Sequence, residues 1–149
     1  MTNIIIRRFT IDDYGTVYAL WRRTPGMGLN DKDDSRVGIS MYLSRNPNTC
    51  FVAECDNEII GVIMGGHDGR RGYIHHTCVA EGMRQHGIGT RLVDAALAAL
   101  KGEGINKVAL VVYGNNTGGN AFWEKAGFTK RPDLVYRDKA LTSLERIDT

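Results

Sequence analysis

Arg84-Gln85-His86-Gly87-Ile88-Gly89-Thr90-Arg91 is the stretch from which the fold is read. It follows a strand-like run, Tyr73 to Val79, and precedes a helix-like run, Arg91 to Lys101. Two glycines at the mouth of a helix let the backbone approach a ligand closely. The first turn also offers unpaired N–H groups at the positive end of the helix dipole, a combination that suits phosphate. No lysine follows the second glycine, which excludes the phosphate loop of nucleotide hydrolases. Leu92 stands where G-x-G-x-x-G needs its third glycine. What the residues complete is R-x-x-G-x-G.

Working outward, strand and helix patterns continue in both directions. Upstream, Ile4 to Phe9 reads as a strand. Thr10, with Asp13 three residues on, opens a helix that carries Tyr14, Val17, Tyr18 and Trp21 at helical spacing and ends near Arg23, ahead of Pro25 and Gly26. Ser35 to Arg45 reads as a second helix. Cys50 to Asp56 and Glu58 to Met64 form a hairpin about Asp56-Asn57, and Gly65 to Gly72 reads as a loop. Downstream, Lys107 to Tyr113 is a strand and Thr117 to Ala126 a helix capped by Gly127. Phe128 to Arg137 is expected to give one or two final strands. The order β-α-α-β-β-β-α-β-α-β predicts an α+β fold with about four helices on a mixed, twisted sheet of six to seven strands. That sheet is antiparallel at hairpins and parallel where a helix crosses over.

A chain of 149 residues supports one domain, taken as residues 1–149. With 42% hydrophobic and 24% charged residues it has the balance of a globular protein in water, and a net charge of +2 supplies no stripe for nucleic acid and no polybasic membrane segment. No apolar run is long enough for a bilayer. Met1 to Phe9 places its apolar triplet ahead of Arg7-Arg8, the wrong order for a secretory leader. Cys50, Cys55 and Cys78 cannot all pair, and we read them as reduced thiols of a cytoplasmic protein. No metal is expected, because His75, His76 and Cys78 do not converge on one ion if side chains alternate along a strand.

The R-x-x-G-x-G of Arg84–Gly89, set between a strand and a helix, resembles the pyrophosphate-binding motif of the GNAT superfamily of acetyl-CoA-dependent N-acetyltransferases. The element order resembles that superfamily over nearly the whole chain. Asn115-Asn116, followed by Asn120-Ala121-Phe122-Trp123-Glu124-Lys125-Ala126-Gly127-Phe128, resembles its N-x-x-A-x-x-F-Y-E-K-x-G-F stretch. Gly61 to Gly72 is further similar to the YpeA-like branch of bacterial members. The resemblance implies acetyl-CoA as cosubstrate and direct acetyl transfer to an amine of a small molecule or a protein; it leaves a homodimer open. It implies that Tyr73–Val79 and Lys107–Tyr113 part at their ends, freeing backbone groups of Thr77, Cys78 and Val79 for the pantetheine arm. Arg84, Gln85, His86, Gly87, Ile88, Gly89 and Thr90 would wrap the pyrophosphate, and Asn116, Asn120 and Trp123 would complete the cofactor site.

The chain departs from that pattern twice. Trp123 stands where many members place a tyrosine that protonates the leaving thiolate, and Val111 where some place a glutamate base; neither side chain moves a proton. These departures keep a second class in view, a non-catalytic acyl-CoA-binding or regulatory module of the same fold. As base we select His75, because alternation puts Tyr73, His75 and Thr77 on one face and turns His76 to the other, toward packing. Trp21, beside a glycine-rich loop, is the candidate wall of an acceptor pocket. Asp31, Asp33 and Asp34 read as a solvated loop, and Cys78 as a small buried residue.

Overall fold

A computed structural model describes residues 3–147, so two residues at each end of the 1–149 span lie outside the described residues. The elements are β1 (Ile4–Arg8), α1 (Tyr14–Arg22), β2 (Leu29–Asn30), α2 (Arg36–Arg45), β3 (Phe51–Cys55), β4 (Glu58–His67), β5 (Gly72–Val79), α3 (Ile88–Gly102), β6 (Val108–Ala109), α4 (Thr117–Lys125) and β7 (Arg146–Ile147). The main sheet runs β1-β3-β4-β5-β6, antiparallel except for β5 and β6, which are parallel because α3 carries the chain across. β2 and β7 form a separate antiparallel pair. The fold is α+β, as expected, and the seven strands among the described residues divide five and two.

Local chemistry explains most boundaries. The Asp13 carboxylate accepts from the Thr10 N–H at 3.0 Å, closing the turn that leads into α1. Arg7 holds the same carboxylate through both terminal nitrogens, each at 2.9 Å, which ties that turn to β1. The Ser35 hydroxyl caps α2 by accepting from Gly38 N–H at 3.0 Å. Asp56 and Asn57 both take positive φ, the geometry of a two-residue hairpin. α4 ends in a Schellman motif: Phe128 N–H reaches the Trp123 carbonyl at 2.9 Å and Gly127 N–H that of Glu124 at 3.0 Å, with Gly127 at φ +97°.

Each face of the sheet has its own core. On one, α1 and α2 press Val17, Leu20, Trp21, Ile39 and Leu43 against Val52, Val62, Met64 and Cys78. On the other, α3 lays Ile88, Leu92, Val93 and Ala96 against Ala53, Ile60, Ile63 and Ile74, with Phe122 and Trp123 of α4 packed at the margin. β4 is central and buried on both sides, which is why it reads as a continuous apolar run rather than an alternating one.

The sequence expectations need correction in three places. Gly65 and Gly66 belong to β4, not to a loop. A Cβ on Gly65 would stand 2.7 Å from the Thr49 carbonyl oxygen, and one on Gly66 would strike the Tyr42 hydroxyl, so these glycines serve close packing rather than a turn. The strand expected over Lys107 to Tyr113 is hydrogen-bonded only at Val108 and Ala109, and Val111 is 58% exposed. No strand forms over Phe128 to Arg137. Pro132 lacks an N–H, Arg131 and Asp133 pair with each other at 2.9 Å, and the Leu134 N–H closes a turn on the Arg131 carbonyl; the late strand is Arg146–Ile147 instead.

Candidate active site

The site begins where β5 and β6 stop pairing. Their ladder comprises only Gly72–Val108 and Tyr73–Ala109, so beyond Tyr73 the outer edge of β5 has no strand beside it among the described residues. Ala80 N–H bonds the Ile60 carbonyl across β4 at 2.7 Å. In an antiparallel ladder the preceding residue, Val79, then turns its N–H and carbonyl to the open side. The Val79 carbonyl is met there by Arg84 Nε at 3.1 Å. Thr77, Cys78 and Val79 lie along this unpaired edge, with the Cys78 backbone turned to Val62 of β4.

At the end of that gap lies the start of α3. Gly87 is its N-cap residue, at φ +74°, and Gln85 is also left-handed, at φ +70°. A Cβ on Gly87 would meet nothing within 4 Å. The start of α3 is therefore open on the side a Gly87 side chain would enter, with a glycine where other residues would be strained. Gly89 has a different reason: its Cβ would lie 3.1 Å from the Phe122 ring, so this glycine lets α3 and α4 approach. Arg84, His86 and Thr90 are exposed around the turn. Arg91 points elsewhere and donates to the Ile4 carbonyl at 3.2 Å.

The α4 asparagines are engaged locally. Asn116 Oδ1 accepts from Gly119 N–H at 2.9 Å, and Asn120 Nδ2 donates to the carbonyls of Tyr113 and Asn116 at 3.1 and 2.9 Å. Trp123 is half-buried and lies edge-on to Phe122 and Phe128, with centroids 5.0 and 5.2 Å away. Trp123→Ala should lower stability by about 1–3 kcal/mol, below the cost at a fully buried site. An unchanged melting temperature would contradict that packing role.

The strand itself carries a feature that alternation could not show. Val62 pairs with Cys78 and Met64 with His75, so one residue of β4, Ile63, opposes two of β5, His76 and Thr77. This is a β-bulge, and its His76 sits at φ +41°. The extra residue switches the faces: Ile74 packs with α3, while Cys78 packs with α1 and α2. The expected grouping of Tyr73, His75 and Thr77 on one face, with His76 opposite, therefore fails. His75 and His76 both turn toward the elements of the α1–α2 side. His75 lies edge-on to Tyr42 of α2 at 5.8 Å, and His76 meets Trp21 of α1 at 5.1 Å.

The two histidines have different surroundings. His76 Nε2 is 2.7 Å from Asp34 Oδ1, and the side chains are only 16% and 4% exposed. The other Asp34 oxygen accepts from Asn30 N–H at 2.8 Å, and Tyr14 Oη donates to the Asp34 backbone carbonyl at 2.7 Å. Asp34 is thus not a solvated loop residue. Trp21 is fully buried, behind His76, and does not form an open wall. His75 borders a bay of about 340 Å³ shared with Tyr42, Asn46, His67, Tyr73 and Ala109. Part of its ring is open to solvent, yet burial and then the adjacent His76 hold its pKa below the ordinary histidine value. The Tyr42 hydroxyl, also on this bay, is buried with no hydrogen-bond partner among the described residues. A second hollow, of about 410 Å³, lies at the Ala80–Arg84 end of the same strand, beside Arg23 and Thr24.

No disulfide joins Cys50, Cys55 and Cys78. Burial pushes the Cys78 thiol up to about 11, so it is protonated at neutral pH and a poor nucleophile. Incubation with acetyl-CoA should accordingly leave the intact mass of the protein unchanged; a stable gain of one acetyl group on Cys78 would contradict this.

The chain belongs to the acetyltransferase (GNAT) family, whose model matches residues 14–128. An acetyltransferase of Sodalis glossinidius is 32% identical over 136 residues, covering 91% of this chain and 94% of that protein. Among solved structures, Ard1 of Thermoplasma volcanium superposes with a TM-score of 0.75 at 24% identity, covering 85% of this chain and 82% of that one. The PaiA N-acetyltransferase of Thermoplasma acidophilum, solved with coenzyme A, gives 0.72 at 20% identity, covering 83% and 87%. These structural likenesses establish the fold. Among the described residues no helix is long and apolar enough to cross a membrane.

Asp34, His76 and Tyr42 are the site residues that the sequence reading did not select. Nothing in a period-2 strand pattern marks a bulge, and the partners Asp34 and His76 are 42 residues apart.

Proposed function

We propose that this protein, as a single domain over residues 1–149, moves an acetyl group directly from acetyl-CoA to an amine. The observation that carries the reading is the open edge of β5, which turns Val79 backbone groups into a gap that ends at the α3 N-terminus. Family membership supports acetyl transfer, and the resemblance of the YpeA-like kind is consistent with it. In this reading Thr77 and Val79, on either side of Cys78, pair with pantetheine through their backbone, and one N–H stabilises the oxyanion. The amides from Gln85 to Thr90 hold the pyrophosphate, with Arg84 anchored beside them. Asn116, Asn120 and Trp123 shape the α4 side of the cofactor site.

The amine acceptor, small molecule or protein, enters the bay of His75, which Tyr42, Asn46 and Tyr73 also line. Trp21 supports that site from behind. An alkylammonium must lose a proton before it attacks; His75 lines the bay, and the His76 ring stands beside it with centroids 6.3 Å apart, so this pair can receive the proton. The thiolate leaves without help from Trp123, since a thiol of pKa about 8.5 is a tolerable leaving group near neutrality.

A panel of amines, with release of CoA thiol and mass of the product as readouts, tests the reading. Equimolar thiol and N-acetylated amine are expected with at least one class. Acetyl-CoA binding without any transfer would favour the non-catalytic module, for which the absence of a proton-transferring side chain at positions 111 and 123 is the argument.

A further inference from the structure

We infer that His76, oriented by Asp34, is the group that takes the proton from the acceptor ammonium, in place of the neighbouring His75. The inference rests on the acetyl-transfer reading above and assigns the base within it.

Four observations converge on the pair. First, Asp34 Oδ1 accepts from His76 Nε2 at 2.7 Å, which fixes the tautomer and leaves the lone pair on Nδ1. A carboxylate in that position also stabilises the imidazolium that forms when the ring accepts a proton. Second, the carboxylate is itself fixed, by the Asn30 N–H at 2.8 Å, and Trp21 packs against the imidazole. Third, His76 occupies a left-handed backbone position in a bulge, a conformation that costs free energy and recurs beside active sites. Fourth, that bulge directly precedes Thr77, Cys78 and Val79, at the border of the gap.

His75 lacks this support. Its ring touches Tyr42 and Tyr73, and no carboxylate bonds it. The titratable groups against His76 are Asp34, from the segment between α1 and α2, and His75 of its own strand; Tyr14 of α1 bonds the Asp34 backbone carbonyl, Cys78 lies two residues along the strand, and Tyr42 of α2 and the Asp33 charge face His75. Tyr14 and Tyr42 are held above the ordinary tyrosine value by burial, and Cys78 near 11, so these three stay neutral across the working range.

The proton balance is complete without another reactant. The ammonium gives one proton to His76. The free amine attacks the thioester carbonyl carbon, forming the C–N bond. As the C–S bond breaks, its electron pair leaves on sulfur and the second N–H proton follows it, giving the amide, CoA thiol and a His76 imidazolium that returns its proton to solvent.

The test is the pH profile of kcat with an amine that the panel identifies. His76→Asn is the variant of choice, because asparagine tolerates left-handed backbone and does not titrate. It should lower kcat about 100-fold or more and abolish the acidic limb, with acetyl-CoA affinity by calorimetry within about twofold of wild type. Asp34→Asn should lower kcat with little change in acetyl-CoA affinity, because the ring loses the acceptor that orients it. His75→Ala should retain the acidic limb. A folded His76→Asn enzyme with near-normal kcat and the wild-type limb would overturn the assignment, and loss of the limb in His75→Ala alone would transfer the role to His75. If the wild type binds acetyl-CoA and acetylates no amine, the acetyl-transfer reading falls and this assignment with it.

Discussion

Replacing Gly87 with Glu is expected to lower acetyl-CoA affinity about 100-fold or more, a change of about 2.7 kcal/mol. The residue caps α3 at φ +74°, and the space a side chain would enter is empty to 4 Å. In the proposed complex that space holds pyrophosphate, so Glu places both bulk and negative charge against it. Part of any effect is backbone strain, since any residue but glycine pays at this φ. Gly87→Ala carries that strain with no charge and little bulk, and should retain most of the affinity. Calorimetry on the two folded variants separates the effects. Equal affinity for wild type and Gly87→Glu would remove α3 from the cofactor site.

Trp21→Ala should be the most destabilising single change near the site, at about 3–5 kcal/mol. The side chain is fully buried among Val17, Leu20 and Leu29, and its removal leaves a cavity that α1 cannot close without sliding. For a chain of this size the melting temperature should fall by roughly 10 °C. The same ring packs against His76, so the variant should also lose kcat beyond what its folded fraction explains. Trp21→Phe keeps much of the volume and should recover most of the stability. A Trp21→Ala protein melting within about 2 °C of wild type would refute the packing account.

What was legible in the sequence was what depends on neighbours in the chain. The caps at Thr10 and Gly127 and the hairpin at Asp56-Asn57 announce themselves through turn and capping chemistry that works within a few residues. The glycine turn that opens α3 at Gly87 is legible for the same reason. Gly65 and Gly66 misled because glycine signals both flexibility and close approach. Here the Thr49 carbonyl and the Tyr42 hydroxyl, both distant in sequence, decide which.

The acceptor side was less legible. A strand pattern assumes a period of two, and the bulge at His76 breaks it, so the histidine assigned to packing faces Asp34. Asp34 looked like one of several loop carboxylates, and only the fold brings it to 2.7 Å from an imidazole. The strand at Lys107–Tyr113 shortened for the converse reason. Its composition favours a strand, but hydrogen bonding needs a partner edge, and β5 diverges from it after Tyr73.

The central claim is that the open edge of β5 and the start of α3 together hold acetyl-CoA. Titrating acetyl-CoA into isotopically labelled protein and following backbone amide resonances tests it residue by residue. The largest shifts should fall on Thr77 to Val79 and on Gln85 to Thr90, with smaller ones on Asn116 and Asn120. Saturable binding that leaves Thr77 to Val79 and Gln85 to Thr90 unmoved, or no binding at all, would contradict the account.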